Sequence, residues 1–108
     1  MVEYPKREIV KGEIDITTPA TIIQGQNVDI DATAERLAPS SVPCQSVCVK
    51  ALSTNTGIIY VGKDTNVTAI NGFELGAGES VSFDFDDVTD VWVIASIANQ
   101  KACYIGVL

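Results

Sequence analysis

Apolar and polar side chains alternate with a period of two in one short run after another, and no stretch carries the i, i+3, i+4, i+7 apolar stripe of an amphipathic helix. The run Val81-Ser82-Phe83-Asp84-Phe85-Asp86 is the cleanest: Val81, Phe83 and Phe85 belong inside, Ser82, Asp84 and Asp86 in water. In residues 45–52 the inward set is Val47, Val49 and Ala51. Glu13-Ile14-Asp15-Ile16-Thr17 and Asn27-Val28-Asp29-Ile30-Asp31 alternate in the same way and place Ile14, Ile16, Val28 and Ile30 on buried faces. Gly, Asn, Asp, Ser or Pro separate the runs, as turns require. About eight or nine short strands at roughly ten-residue spacing predict an all-β domain, a two-sheet antiparallel sandwich of jelly-roll-like form, with a small barrel second.

Local punctuation suggests particular connections. Ser53-Thr54-Asn55-Thr56-Gly57 is polar and ends in Gly, so a hairpin is expected between residues 45–52 and 58–62. Ala98-Asn99-Gln100 is expected to turn residues 90–97 into 101–107 as a second hairpin. Between them, residues 71–79 form a glycine-rich structured loop with a short strand, from which Phe73 and Leu75 tuck inward.

Charge and missing residue types narrow the chemistry. Seven Lys and Arg against fourteen Asp and Glu give a net charge of −7, which repels phosphate backbones and anionic headgroups, so neither nucleic acid nor a membrane is an expected partner. The 108 residues contain no histidine, which removes Ser-His-Asp triads, Cys-His pairs and imidazole metal sites. No catalytic residue and no cofactor is expected. A cupin-like metal enzyme is disfavoured on the same ground. Asp84, Asp86, Asp87 and Asp90 fall within seven residues and could gather oxygen ligands for calcium. Strand alternation accounts for Asp84 and Asp86, however, and the turn Asp87-Val88-Thr89-Asp90 for the others. Asn66-Val67-Thr68 has glycosylation spacing, but residues 1–11 hold no apolar run of signal-peptide length.

Cys44, Cys48 and Cys103 are an odd number of thiols with no CxxC. On one strand, Cys44 and Cys48 would stand about 13 Å apart, beyond the roughly 7 Å a disulfide spans. Pairing of Cys48 with Cys103 across two strands stays open; the plainer expectation is free thiols buried as small hydrophobes.

The chain divides into an N-terminal arm, residues 1–12, and a β-sandwich domain, residues 13–108. The arm carries three basic and two acidic side chains against four and twelve in the body, so the two parts contrast in charge. Residues 90–97 are apolar on both faces through Val91, Trp92, Val93 and Ile94, more than so small a domain can cover alone, which predicts a homo-oligomer.

The string Ser46-Val47-Cys48-Val49-Lys50-Ala51-Leu52-Ser53-Thr54-Asn55-Thr56-Gly57, with Ile59-Tyr60-Val61-Gly62 after it, resembles small β-sandwich structural proteins of tailed bacteriophages. Asn71-Gly72-Phe73-Glu74-Leu75-Gly76-Ala77-Gly78-Glu79-Ser80-Val81, Val91-Trp92-Val93-Ile94-Ala95-Ser96 and Tyr104-Ile105-Gly106-Val107 continue the likeness, which covers residues 44–107. The resemblance implies a non-enzymatic capsid decoration (cement) protein or head-fibre component, often trimeric, made in the host cytoplasm and placed on the outer surface of the capsid against the major capsid protein. The alternative it allows is a tail- or fibre-associated module contacting host surface glycans. The cysteines at 48 and 103 depart from the pattern, where small polar residues are expected. The candidate interface is Tyr4, Lys6, Arg7, Ile9, Val10 and Lys11 of the arm, with Trp92 and Ile94 of the body. A glycan platform needs exposed aromatics. With Phe73, Phe83, Phe85 and Trp92 assigned to the core, Tyr4, Tyr60 and Tyr104 are the ones left for it.

Overall fold

The computed structural model describes residues 21–108. The arm, with Tyr4, Lys6, Arg7, Ile9, Val10 and Lys11, and the strand expected at residues 13–17 lie outside the described residues. Among the described residues the chain forms β1 (Ile22–Ile30), β2 (Glu35–Arg36), β3 (Ser46–Ala51), β4 (Ile59–Gly62), β5 (Phe73–Leu75) and β6 (Ser80–Asp84), then a 3-10 turn (Val88–Asp90), β7 (Trp92–Ala95) and β8 (Gln100–Val107). Two antiparallel four-stranded sheets result. Sheet one runs β1-β8-β3-β6 and sheet two runs β2-β7-β4-β5.

That order is a jelly roll: the chain steps from one sheet to the other at nearly every connection, and among the described residues β4 with β5 is the one sequence-adjacent pair that hydrogen bonds. Neither expected hairpin forms. The 53–57 segment carries the chain from β3 in sheet one across to β4 in sheet two, and residues 96–99 carry it back from β7 to β8. Alternation reports which face of a strand is buried, and a polar stretch reports that the chain turns; neither specifies the hydrogen-bonding partner.

The core is the space between the sheets. From sheet one it takes Ile30, Val47, Val49, Ala51, Ala102 and Tyr104; from sheet two, Ile59, Val61, Leu75, Val93 and Ala95; Leu37, Val88 and Val91 close the ends. Burying each large aliphatic side chain contributes roughly 1.5 to 3 kcal/mol. The expected set Val47, Val49 and Ala51 is wholly inside, at 2%, 0% and 0% exposure. Val81, Phe83 and Phe85 pack against this cluster from the edge strand β6 and the residues after it, half-buried rather than sealed. The rings of Phe83 and Phe85 meet edge to face, centroids 5.9 Å apart at 68°.

Val28 departs from its alternation. The register of β1 on β8 slips between Asn27 and Ile30, so Val28 and Asp29 both face out while Ile30 is fully buried. A bulge adds one residue to one strand and shifts the face of everything beyond it, which a strict period of two cannot anticipate. Phe73 also departs: Leu75 is buried as expected, but Phe73 at the start of the edge strand β5 is 57% exposed.

Glycines mark two places where strands and side chains come close. A Cβ on Gly106, in the middle of sheet one, would enter the carbonyl oxygen of Ser46 and sit 3.1 Å from Val47 Cα, both backbone atoms of β3. Gly25 on β1 lies directly opposite Tyr104, whose ring occupies the space a Cβ would take.

Candidate interaction surfaces

The outer face of sheet two carries the body residues expected at an interface. Trp92 and Ile94 alternate outward from β7 while Val93 and Ala95 point into the core. Ile94 lies opposite Tyr60 on β4, and Trp92 opposite Arg36 on β2. The four side chains thus share one side of the sheet. Arg36 is fixed over the indole: its guanidinium carbon is 4.8 Å from the ring centroid, and Nη1 donates to the Thr89 carbonyl (2.9 Å) and to Asp90 Oδ1 (3.3 Å). Lining up a cation over an aromatic face adds about 0.5 to 1 kcal/mol at an exposed site, and here it also orders the long side chain. The outcome is a half-buried apolar stripe of Tyr60, Trp92 and Ile94, with a positioned guanidinium at one end and Glu74, opposite Tyr60 on β5, at the other. Trp92 and Ile94, expected at an interface, share this face with Tyr60, expected only as an exposed aromatic, and with Arg36, which was not expected there. Tyr60 is legible as the outward partner of Ile59 and Val61; Arg36 is not, because its place depends on β2 pairing with β7.

The outer face of sheet one is different in character. Ile22, Ile105 and Val107 make an apolar corner, with Ile22 67% and Ile105 50% exposed, next to Gln24 and Gln26 of β1. Cys48 and Cys103 stand on this face, each half-buried, and both are thiols. They lie diagonally across the β3–β8 ladder, Cys48 opposite Ile105 and Cys103 opposite Lys50. The expectation of three buried cysteines therefore holds for Cys44 alone. Cys44 is 5% exposed and donates its S–H to the Phe85 carbonyl at 3.1 Å. Burial, and then the negative charges of Asp87 and Asp86, push its thiol pKa up and keep it protonated.

The aspartates near the 3-10 turn are separately employed. Asp87 caps the turn: one carboxylate oxygen accepts from the amides of Val42 (2.8 Å) and Thr89 (3.0 Å), and the other accepts the Ser41 hydroxyl. The Ser41 hydrogen bond, then those from Thr89 and Val42, hold its carboxyl below the usual carboxylate range. Asp90 pairs with Arg36, and Asp84 points outward from β6. Among the described residues no three Asp, Glu or Cys side chains converge in a metal-binding arrangement. Thr68 of the Asn66-Val67-Thr68 triplet is turned into its own loop, where its hydroxyl accepts from the amides of Ile70 (3.2 Å) and Asn71 (3.3 Å).

Two side-chain amides serve the architecture. The buried Gln100, 3% exposed, accepts with Oε1 from the amides of Thr56 (3.0 Å) and Gly57 (2.8 Å) and donates with Nε2 to the Ala98 carbonyl (2.9 Å). Asn55 brackets Lys101, donating to its carbonyl at 2.7 Å and accepting from its amide at 2.9 Å. The segment Thr54-Asn55-Thr56-Gly57 is thereby latched onto the start of β8.

No protein-family model matches the chain, and no curated protein matches it. Among solved structures, one from the work "Bacillus endospore appendages form a novel family of disulfide-linked pili" is 19% identical over 91% of this chain and 98% of that chain, with a TM-score of 0.40.

Proposed function

We propose that this chain is a non-enzymatic structural subunit that acts as a homo-oligomer, a trimer by the resemblance of its sequence, and decorates the outer surface of a bacteriophage capsid against the major capsid protein. The observation that carries the reading is the stripe of Tyr60, Trp92 and Ile94 on the outer face of sheet two. It is apolar, half-exposed and held in place by a rigid sheet, which is the composition of an interface centre with aromatic and Arg anchors. The net charge of −7 keeps unassembled subunits apart and soluble. The basic side chains Lys6, Arg7 and Lys11 supply contacts to acidic neighbours, each worth about 0.2 to 1 kcal/mol, and Ile9 with Val10 supply directional pairing by strand addition.

Two measurements test this. Light scattering of the wild type gives the mass of a trimer, and Ile94→Asp gives a folded monomer; a single 11.5 kDa species for the wild type at high micromolar concentration refutes self-assembly. Deleting residues 2–12 weakens binding to undecorated capsids while thermal unfolding is unchanged. Unaltered capsid binding refutes the role of the arm, and absence of wild-type binding to any capsid refutes decoration.

A further inference from the structure

The loop between β4 and β5 and the first residue of β5 form a groove of about 610 Å³ whose lining includes Lys63, Asp64, Asn66, Asn71 and Phe73 over a floor of Val61 and Val67. This volume lies within the range of small-ligand sites, roughly 300 to 1,000 Å³. We propose that this groove binds a neutral pyranose of a glycan, a function separate from assembly and independent of it.

The walls are fixed before any ligand arrives. Asp64 Oδ1 accepts from the Asn66 amide (2.8 Å), Asn71 Oδ1 accepts from the Thr68 amide (2.7 Å), and Asn71 Nδ2 donates to the Asn66 carbonyl (3.1 Å). The Gly72 amide closes the turn onto the Thr68 carbonyl at 2.9 Å. Val67 is 5% exposed and lies against Gly62, where any side chain would displace it. A loop braced in this way loses little conformational freedom on binding.

What remains unengaged defines the ligand. The Asn71 side chain is consumed by the loop on both its atoms. The Lys63 ammonium, the second carboxylate oxygen of Asp64 and the Asn66 side-chain amide make no hydrogen bond to another of the described residues. They offer donor, acceptor and donor-plus-acceptor capacity around one cavity, as vicinal hydroxyls require. Beside them Phe73 holds an aromatic ring 57% in water on a rigid strand, and the electron-rich face of such a ring attracts the polarised C–H bonds on the flat side of a pyranose. A purely apolar ligand would strand the Lys63 and Asp64 charges, and a phosphate or polyanion would meet Asp64 and a body of net charge −8. A neutral sugar satisfies both the ring and the polar groups.

The test is a titration of the uniformly ¹⁵N-labelled full chain with lactose, maltose and N,N′-diacetylchitobiose, with sialyllactose as the anionic comparison, read by amide chemical shifts. At least one neutral sugar produces saturable shifts confined to Gly62, Asn66, Gly72, Phe73 and their neighbours at millimolar concentration. Phe73→Ala weakens that binding about ten-fold or more. Asp64→Asn keeps the Oδ1 acceptor that the loop needs and removes the other oxygen, so it gives a second loss in a folded protein if Phe73→Ala fails to fold. Ile70→Ser, outside the groove, leaves binding unchanged. No shift with any of the three sugars, shifts elsewhere on the surface, or binding unaltered in both variants overturns the proposal. Preference for sialyllactose over lactose overturns the neutral assignment. Shifts at these same amides that depend on protein concentration without sugar assign the groove to a second copy of the chain and overturn it as well.

Discussion

Replacing Gln100 by Leu keeps the volume of the side chain and removes both ends of a buried polar bridge. The structure identifies what is lost. The amides of Thr56 and Gly57 lose the oxygen they share, at 3.0 and 2.8 Å, and the Ala98 carbonyl loses its donor at 2.9 Å. A net hydrogen bond contributes about 1 kcal/mol, and a buried partner left unsatisfied costs about 1 to 3 kcal/mol. The loop lies near the surface, so water reaches part of it, and the expected destabilisation is about 2 to 4 kcal/mol by urea denaturation. Thr56→Ala, which removes only a 3.4 Å contact to Nε2, costs about 0.5 kcal/mol or less. Hydrogen exchange checks the mechanism directly: the Thr56 and Gly57 amides of the crossover lose protection in Gln100→Leu before the strands of sheet one do. Gln100→Glu keeps the acceptor for the Thr56 and Gly57 amides but sets a carboxylate oxygen against the Ala98 carbonyl where a donor stood, so it too is destabilised at neutral pH. A loss below about 0.5 kcal/mol in Gln100→Leu, or uniform exchange across the sheet, would refute the reasoning.

Gly106→Ala places a methyl group against the β3 backbone, which cannot rotate away as a side chain can, so a loss of about 3 kcal/mol or failure to fold is expected from thermal melts; a wild-type melting curve counts against the strand spacing. Native-state thiol labelling modifies Cys48 and Cys103 and spares Cys44 until the protein unfolds, with mass spectrometry of the labelled peptides as the readout. Asp87 has a depressed folded pKa, so its hydrogen bonds support the fold above the unfolded carboxylate value and the support is lost as pH falls through the folded one. Asp87→Asn accordingly flattens the acid limb of the pH–stability curve, and an unchanged acid limb contradicts the assignment.

Faces are legible in this sequence and partners are not. Val47, Val49 and Ala51 can be placed inside from spacing alone, because a strand with one face on a core has only one register that hides its apolar set. Nothing local distinguishes a loop that reverses within a sheet from one that crosses between sheets, so the segments at 53–57 and 96–99 have the signals of hairpins and are crossovers. Alternation misplaces Val28 because the bulge beside it leaves its only trace in a ladder with β8, more than seventy residues away in sequence. At the candidate surfaces, Trp92 and Ile94 come from an apolar run on both faces of one strand, whereas the Arg36 stack and the groove beside Phe73 exist only once β2 has met β7 and β5 has met β4. Gln100 has the look of an ordinary turn residue because its partners lie 43 and 44 residues earlier.

The position of β8 within sheet one also sets a timetable. It comes last in sequence among the described strands, yet it lies between β1 and β3 and hydrogen bonds to both. Until residues 100–107 have left the ribosome, β1 lacks its ladder with β8 and, among the described strands, β3 has only β6, so the earliest described strand must wait for the latest. Pairings of such long sequence separation form slowly. Meanwhile the nascent chain displays two open ladder edges to every other copy being translated nearby. Expression yield should therefore depend on how quickly these β8 residues are delivered, and a stalled or truncated product lacking them is the species most prone to pair with its neighbours in the wrong way.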